Sequence, residues 1–134
     1  MRGYLIDTNV ISELTKARPN RGAVEWVANV REGYVSVLTL GEIMRGATLK
    51  RLRHGSAADR ILAWIDRVER EYAGRILAVD RAVVGRWAAL PVTRTLPVID
   101  SLLAATALAH DLVVATRNTR DFEDFGVETL DPFA

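Results

Sequence analysis

Tyr4-Leu5-Ile6-Asp7-Thr8-Asn9 is the stretch on which the reading of this chain turns. An apolar run stops abruptly at a carboxylate, two small polar residues follow, and Val10, Ile11 and Leu14 then open an amphipathic pattern. A short apolar run passing at once into helical spacing predicts a buried strand that feeds a helix. Asp7 then stands at the carboxyl end of that strand, the edge at which open α/β sheets bind their ligands.

Working outward, a first helix is expected over residues 8–15, with Thr8 or Asp7 as its N-cap, and Pro19 breaks the chain after it. Val24, Trp26, Val27 and Val30 mark a second helix, ended by Glu32-Gly33. Residues 34–37 are β-prone and form the second strand. Thr39-Leu40-Gly41-Glu42 opens a long helix, 54–56 is a turn, and the helix over 56–73 stops at Gly74. Residues 76–79 are the third strand, and Asp80 caps the helix that follows. After a connector over 91–97, the helix over 98–109 is apolar nearly all round and should be central. Residues 112–115 form the fourth strand, 116–126 a polar loop with one helical turn, and 127–130 a fifth strand. Strands alternating with helices imply a parallel sheet covered on both faces.

At 134 residues this is one domain, able to bury roughly two-thirds of its unfolded surface. A net charge of +1 does not by itself indicate a nucleic-acid binder. There are no cysteines, which excludes disulfides and thiolate metal sites. The first residues carry no hydrophobic signal region and no apolar run is long enough to span a bilayer, so the protein is read as cytoplasmic, with no membrane partner.

In a right-handed strand–helix–strand unit each helix runs back against the sheet, so helix N-termini and the residues just after strands share the carboxyl edge. That rule puts Asp7, Glu42, Asp100 and Asp121 on one edge, with Asp80 beside them. Glu13, Asp59, Asp66, Glu69 and Glu71 fall inside helices and read as solvated. Each edge acid also has a plainer use. Thr39-x-x-Glu42 spells a capping box. Asp100 suits a helix N-terminus through the macrodipole. Asp121 can be a turn acid and Asp7 a cap, and Asp80 is read as a cap only. Convergence on one edge is what favours a shared site. Thr116 and Asn118 can orient Asp7 by hydrogen bonding, as can Thr8 and Asn9, although all four residue types also form turns.

Carboxylates gathered without matching Lys or Arg raise one another's pKa. A divalent cation removes that penalty, and hard oxygen ligands favour Mg2+ or Mn2+ over zinc in a chain with no cysteine and no His pair. Such a site suits phosphodiester hydrolysis, in which the cation activates water and stabilises charge on oxygen. Arg45, Lys50, Arg51 and Arg53 follow Glu42, and Arg117 and Arg120 flank the acids. Of these, Arg45, Arg117 and Arg120 are the candidate contacts to a phosphate backbone, against the commoner reading of a solvated helix face.

Four segments together resemble a known pattern: Leu5 to Glu13; Thr39-x-x-Glu42-Ile43-x-x-Gly46; Ile99 to Ala107; and Thr116 to Phe122. In order and spacing they are similar to PIN-domain proteins of the VapC-type toxin family, the ribonuclease halves of toxin–antitoxin pairs. The resemblance implies a three-layer α/β sandwich on a five-stranded parallel sheet in order 3-2-1-4-5. It implies Mg2+- or Mn2+-dependent cleavage of an RNA substrate, with Asp7, Glu42, Asp100 and Asp121 as the carboxylates and Thr116 and Asn118 as supports. It also implies a homodimer and a small DNA-binding antitoxin partner whose tail can place a basic residue in the acidic pocket. Two features depart from the pattern: Gly41 stands where a bulkier apolar residue is expected, and the 91–97 connector is short.

The resulting expectation is an endoribonuclease leaving a 5′-phosphate and a 3′-hydroxyl, with one or two Mg2+ ions held by Asp7, Asp100 and Asp121 and by Glu42 partly through water, and with dimerisation through Val10, Ile11, Leu14 or the helix near Met44. One rival is a catalytically weak binding module whose acidic pocket captures a basic peptide. Another is a phosphatase of the haloacid-dehalogenase type, which wants a second acid two residues after the first, where this chain has Asn9.

Overall fold

A computed structural model describes residues 2–54, 57–91 and 97–133. Strand β1 (Tyr4–Ile6) is the centre of a five-stranded, all-parallel sheet. It pairs with β2 (Gly33–Ser36) on one side and β4 (Val113–Ala115) on the other. Strands β3 (Ile76–Leu77) and β5 (Thr129–Leu130) form the edges, which gives the order β3-β2-β1-β4-β5. The order is the expected one. Leu5 pairs with Val114 and Ile6 with Ala115, so the last residues of β1 and β4 arrive at the sheet edge together.

Successive strand residues face opposite sides, and each side has its own core. Leu5 and Val114 pack with Leu103, Ala104 and Ala107 of α6 (Val98–His110) and with Phe122 of α7 (Thr119–Glu123). Ile6 and Val35 pack on the other side with α1 (Thr8–Glu13), α3 (Val37–His54) and α4 (Ala57–Glu71), through Val10, Ile11, Ile43 and Ile65. Helix α2 (Arg21–Asn29) adds Trp26 and Val27 to that second core. Helix α5 (Arg81–Ala88) packs against α6. The sheet is thus the middle of three layers. The nearly apolar α6 is central, with Leu103 to Ala107 all buried.

Several boundaries differ from expectation for local reasons. Val37 belongs to α3 and not to the second strand, because the Ser36 hydroxyl accepts from the backbone N–H of Leu38 (3.0 Å) and turns the chain straight into the helix. Thr39 therefore lies inside α3, and the capping-box spacing does no capping. Gly41 likewise is not at the helix start. Residues 116–126 hold the short helix α7. Gly74, at φ 81°, ends the chain after α4 as the sequence implied. Glu13 is not solvated but only 5% exposed. Val10 and Ile11 are fully buried, which removes them from any dimer contact. The 92–96 part of the connector, the 54–56 turn beyond residue 54 and the Arg53 side chain lie outside what is described.

Asp80 is the structural cap it was read to be: its carboxylate accepts from the N–H of Val83 at 3.0 Å. Asp80→Ala is expected to lower stability by about 1 kcal/mol, read by thermal denaturation, with no effect on chemistry at the site described next.

Candidate active site

Asp7 ends β1 and caps α1 with extended backbone (φ −68°, ψ 155°). Its own N–H continues the ladder to the carbonyl of Ala115 (2.9 Å). That bond fixes the carboxylate at the junction of the two central strands. One carboxylate oxygen, Oδ1, accepts from the N–H of Thr8 (2.7 Å). The other, Oδ2, accepts from the Thr116 hydroxyl (2.8 Å) and from the Asn9 amide (3.2 Å). Asp7 is only 5% exposed, and burial raises its pKa from 3.8 to about 6. The bonds from Thr116 and Thr8 oppose that rise, while the charges of Asp100 and Glu42 add to it.

Thr8 carries the link to the next acid. Its hydroxyl donates to Glu42 Oε1 (2.5 Å) and lies 3.1 Å from the buried hydroxyl of Thr39. Asp100 stands in the first turn of α6 and is partly buried. Burial raises its pKa, with Glu42 and Asp121 adding to the effect. Asp7, Thr8, Asn9, Ser12, Glu42, Asp100 and Asn118 line one open pocket of about 280 Å³, and among the described residues no Lys or Arg joins them. Asp121, in the first turn of α7, is not in that lining, and its charge reaches the pocket through Asp100.

The supports divide differently from the sequence reading. Thr116 is fully buried: its hydroxyl donates to Asp7 and accepts from the Asn9 amide (3.3 Å) and the Asn118 N–H (3.0 Å). Asn118 therefore braces Thr116 with its backbone, while its side chain faces the pocket. Asn9 does more than its neighbours in sequence suggested. Its amide reaches Asp7 and Thr116, and its carbonyl accepts from the N–H of Arg117 (3.3 Å). The signal was present in principle, since parallel pairing of β1 with β4 sets residues 7–9 beside 116–117. Ser12 was not singled out and lies one helical turn beyond Thr8 on the pocket side.

Of the three arginines, Arg45 is exposed on α3 beside Glu42, and Arg120 is exposed on α7. The Arg117 guanidinium lies 3.8 Å from the centre of the Phe133 ring and 3.8 Å from Glu13 Oε1. Glu13 also accepts from Lys16 Nζ (2.8 Å) and the N–H of Asn20 (2.8 Å), and these bonds lower its pKa. Arg51 is paired with Asp59 (2.5 Å).

Among the described residues no three acids close into a ligand cage. Asp7, Glu42 and Asp100 instead share an open pocket. That donor set fits Mg2+ or Mn2+, which keep several waters and need few carboxylates, better than a cation requiring full protein coordination.

A family model for the PIN domain matches residues 4–128. The VapC ribonuclease Y4jK of Sinorhizobium fredii is 34% identical over 96% of both chains. The toxin FitB of Neisseria gonorrhoeae is 32% identical over 96% of this chain and 97% of its own. A crystal structure of FitAcB from that organism superposes with a TM-score of 0.87 at 31% identity, covering 96% of this chain and 97% of the other. A toxin–antitoxin complex from Klebsiella pneumoniae gives a TM-score of 0.70 at 25% identity, with 98% of each chain covered. The chain belongs to the PIN-domain family, among the VapC-type toxin ribonucleases.

Proposed function

We propose that the protein is a Mg2+- or Mn2+-dependent endoribonuclease, the toxin of a toxin–antitoxin pair, acting through Asp7, Glu42, Asp100 and Asp121. The observation that carries this reading is Asp7 itself. A carboxylate so buried, held by Thr116, Asn9 and Thr8 and facing two more acids with no Lys or Arg among the described lining residues, is costly without a positive ligand. The ribonuclease and toxin names of the relatives point the same way.

In this reading Asp7 and Asp100 hold the cation and Glu42 joins them from α3. A divalent cation bound there supplies Lewis-acid stabilisation for hydrolysis of the phosphodiester. Thr8 fixes the Glu42 carboxylate, and Thr116 and Asn9 fix that of Asp7, so neither needs to reorganise when charge develops. Asp121 adds negative charge behind Asp100. Arg45 and Arg120 are exposed and can meet RNA phosphates at the surface, whereas Arg117 orders the loop that carries Thr116. The same acidic pocket suits a basic side chain from a small DNA-binding antitoxin, in keeping with the Klebsiella toxin–antitoxin complex. A homodimer has the exposed Met44 of α3 to use. Among the described residues no helix is long and apolar enough to cross a membrane. Action on RNA, as proposed, is in keeping with a cytoplasmic location. The phosphatase alternative loses support, because Asn9 is spent on bracing Asp7.

Cleavage of a labelled single-stranded RNA that begins on adding Mg2+ or Mn2+ and stops on chelation is the expected result. RNA left whole at every metal concentration, by a protein that still binds a basic peptide, would favour the binding module instead. Cation affinity should also depend on pH. Asp7 must release its proton to bind, so Mn2+ affinity should fall about tenfold per pH unit below the raised pKa of about 6. Thr116→Val removes a bond that favours the ionised carboxylate and should move that fall to higher pH. Calorimetric Mn2+ titrations across pH 5 to 8, roughly the range a pKa near 6 demands, check both.

A further inference from the structure

A second groove, of about 460 Å³, adjoins the acid pocket and is lined by Val37, Leu38, Gly41, Glu42, Arg45 and Ile99. Glu42 belongs to the walls of both. We infer that this groove seats the nucleobase next to the phosphate held at the acid pocket. The inference rests on the ribonuclease reading and adds to it the part of the substrate that the carboxylates do not address.

Three observations favour a base as the occupant. The groove shares Glu42 with the acid pocket, and Ile99 precedes Asp100, so the two sites adjoin within the reach of a single nucleotide. Val37, Leu38 and Ile99 give it an aliphatic part, and apolar surface accepts the faces of all four bases. Arg45 stands in the same lining and makes no ion pair among the described residues, which suits a base face or a neighbouring phosphate. An apolar protein segment on this groove would instead cover that guanidinium without compensation. Gly41 keeps the groove open. A Cβ built there meets no atom within 4 Å, so a side chain at this position enters the groove without displacing its neighbours.

The test uses the full chain with Ca2+ to occupy the carboxylates. Fluorescence anisotropy compares a short fluorescein-labelled single-stranded RNA with an abasic ribose-phosphate polymer of the same length. The wild-type protein is expected to bind the abasic polymer about tenfold more weakly. Gly41→Leu should bring the base-bearing RNA down to the abasic level, with abasic binding and the melting temperature unchanged. Gly41→Gln, which fills the same space with a polar, helix-favouring side chain, should do the same. Equal binding of the two polymers by the wild-type protein overturns the inference, as does discrimination that survives both substitutions. Discrimination that survives while light scattering shows a dimer falling to monomer assigns the groove to a second copy and overturns it as well. If bases are discriminated with Ca2+ but RNA is never cut with Mn2+, the nuclease reading fails and the groove stands.

Discussion

Asp7→Asn is expected to end RNA cleavage, by about a thousandfold or more, and to remove a fall in stability that the metal-free protein shows as pH rises toward neutral. The sign follows from the raised pKa. The unfolded chain releases this proton near 3.8, the folded protein only near 6. Between those values the folded state holds the extra proton, so stability falls as pH rises through the window. Above about pH 6 the full penalty is present, on the order of 2–3 kcal/mol for this buried group. Asparagine carries no charge and escapes that penalty, and it caps a helix as well as aspartate does. Its amide accepts through one oxygen where the carboxylate accepts through two, so one of the donors Thr8, Thr116 and Asn9 loses its partner, a cost that does not change with pH. From about pH 4 to pH 7.5 the wild-type melting temperature should therefore fall more steeply than that of the variant. A variant that cuts RNA at the wild-type rate, or that keeps the wild-type pH dependence of stability, would sink the assignment of Asp7.

The second large effect is the reverse operation, in which the charge is kept and the cation is supplied. Mn2+ at about a hundred times its dissociation constant should stabilise the folded protein by about 2.7 kcal/mol. For a domain of 134 residues this is a rise in melting temperature on the order of 10 °C. Chelation should return both the melting temperature and the cleavage rate to their metal-free values. Asp7→Asn, with its strongest ligand neutralised, should show little of the shift. A wild-type melting temperature that ignores Mn2+ while cleavage continues would separate the chemistry from the acids assigned to it.

The central part of this design was legible because it depends on short-range patterns. Leu5-Ile6-Asp7 reads as a strand ending in an acid, and the unbroken apolar surface of α6 reads as a central helix. The alternation of strands and helices then carried Glu42 and Asp100 to the same edge as Asp7. What escaped the sequence depends on distant returns of the chain. Glu13 looks like any exposed helix acid until the turn brings back the N–H of Asn20 and β4 delivers Arg117. Nor does the sequence show that Phe133 arrives beneath the guanidinium of Arg117. Thr39-x-x-Glu42 has the spacing of a cap, but Ser36 starts the helix earlier, and Thr39 turns inward toward Thr8. Val37 was misplaced because a β-branched residue favours a strand wherever a hydroxyl one position earlier does not turn the chain.

The bond between the Asp7 N–H and the Ala115 carbonyl, with the Thr116 hydroxyl beside it, has a bearing on when the proposed site can act. The ribosome makes Asp7 108 residues ahead of Ala115. A nascent polypeptide, or a prematurely terminated one stopping short of β4, has neither the backbone partner nor the hydroxyl that aims this carboxylate. The acid site is therefore unassembled until β4 has been made, and under the proposed reading an inhibitor is needed only from that point on.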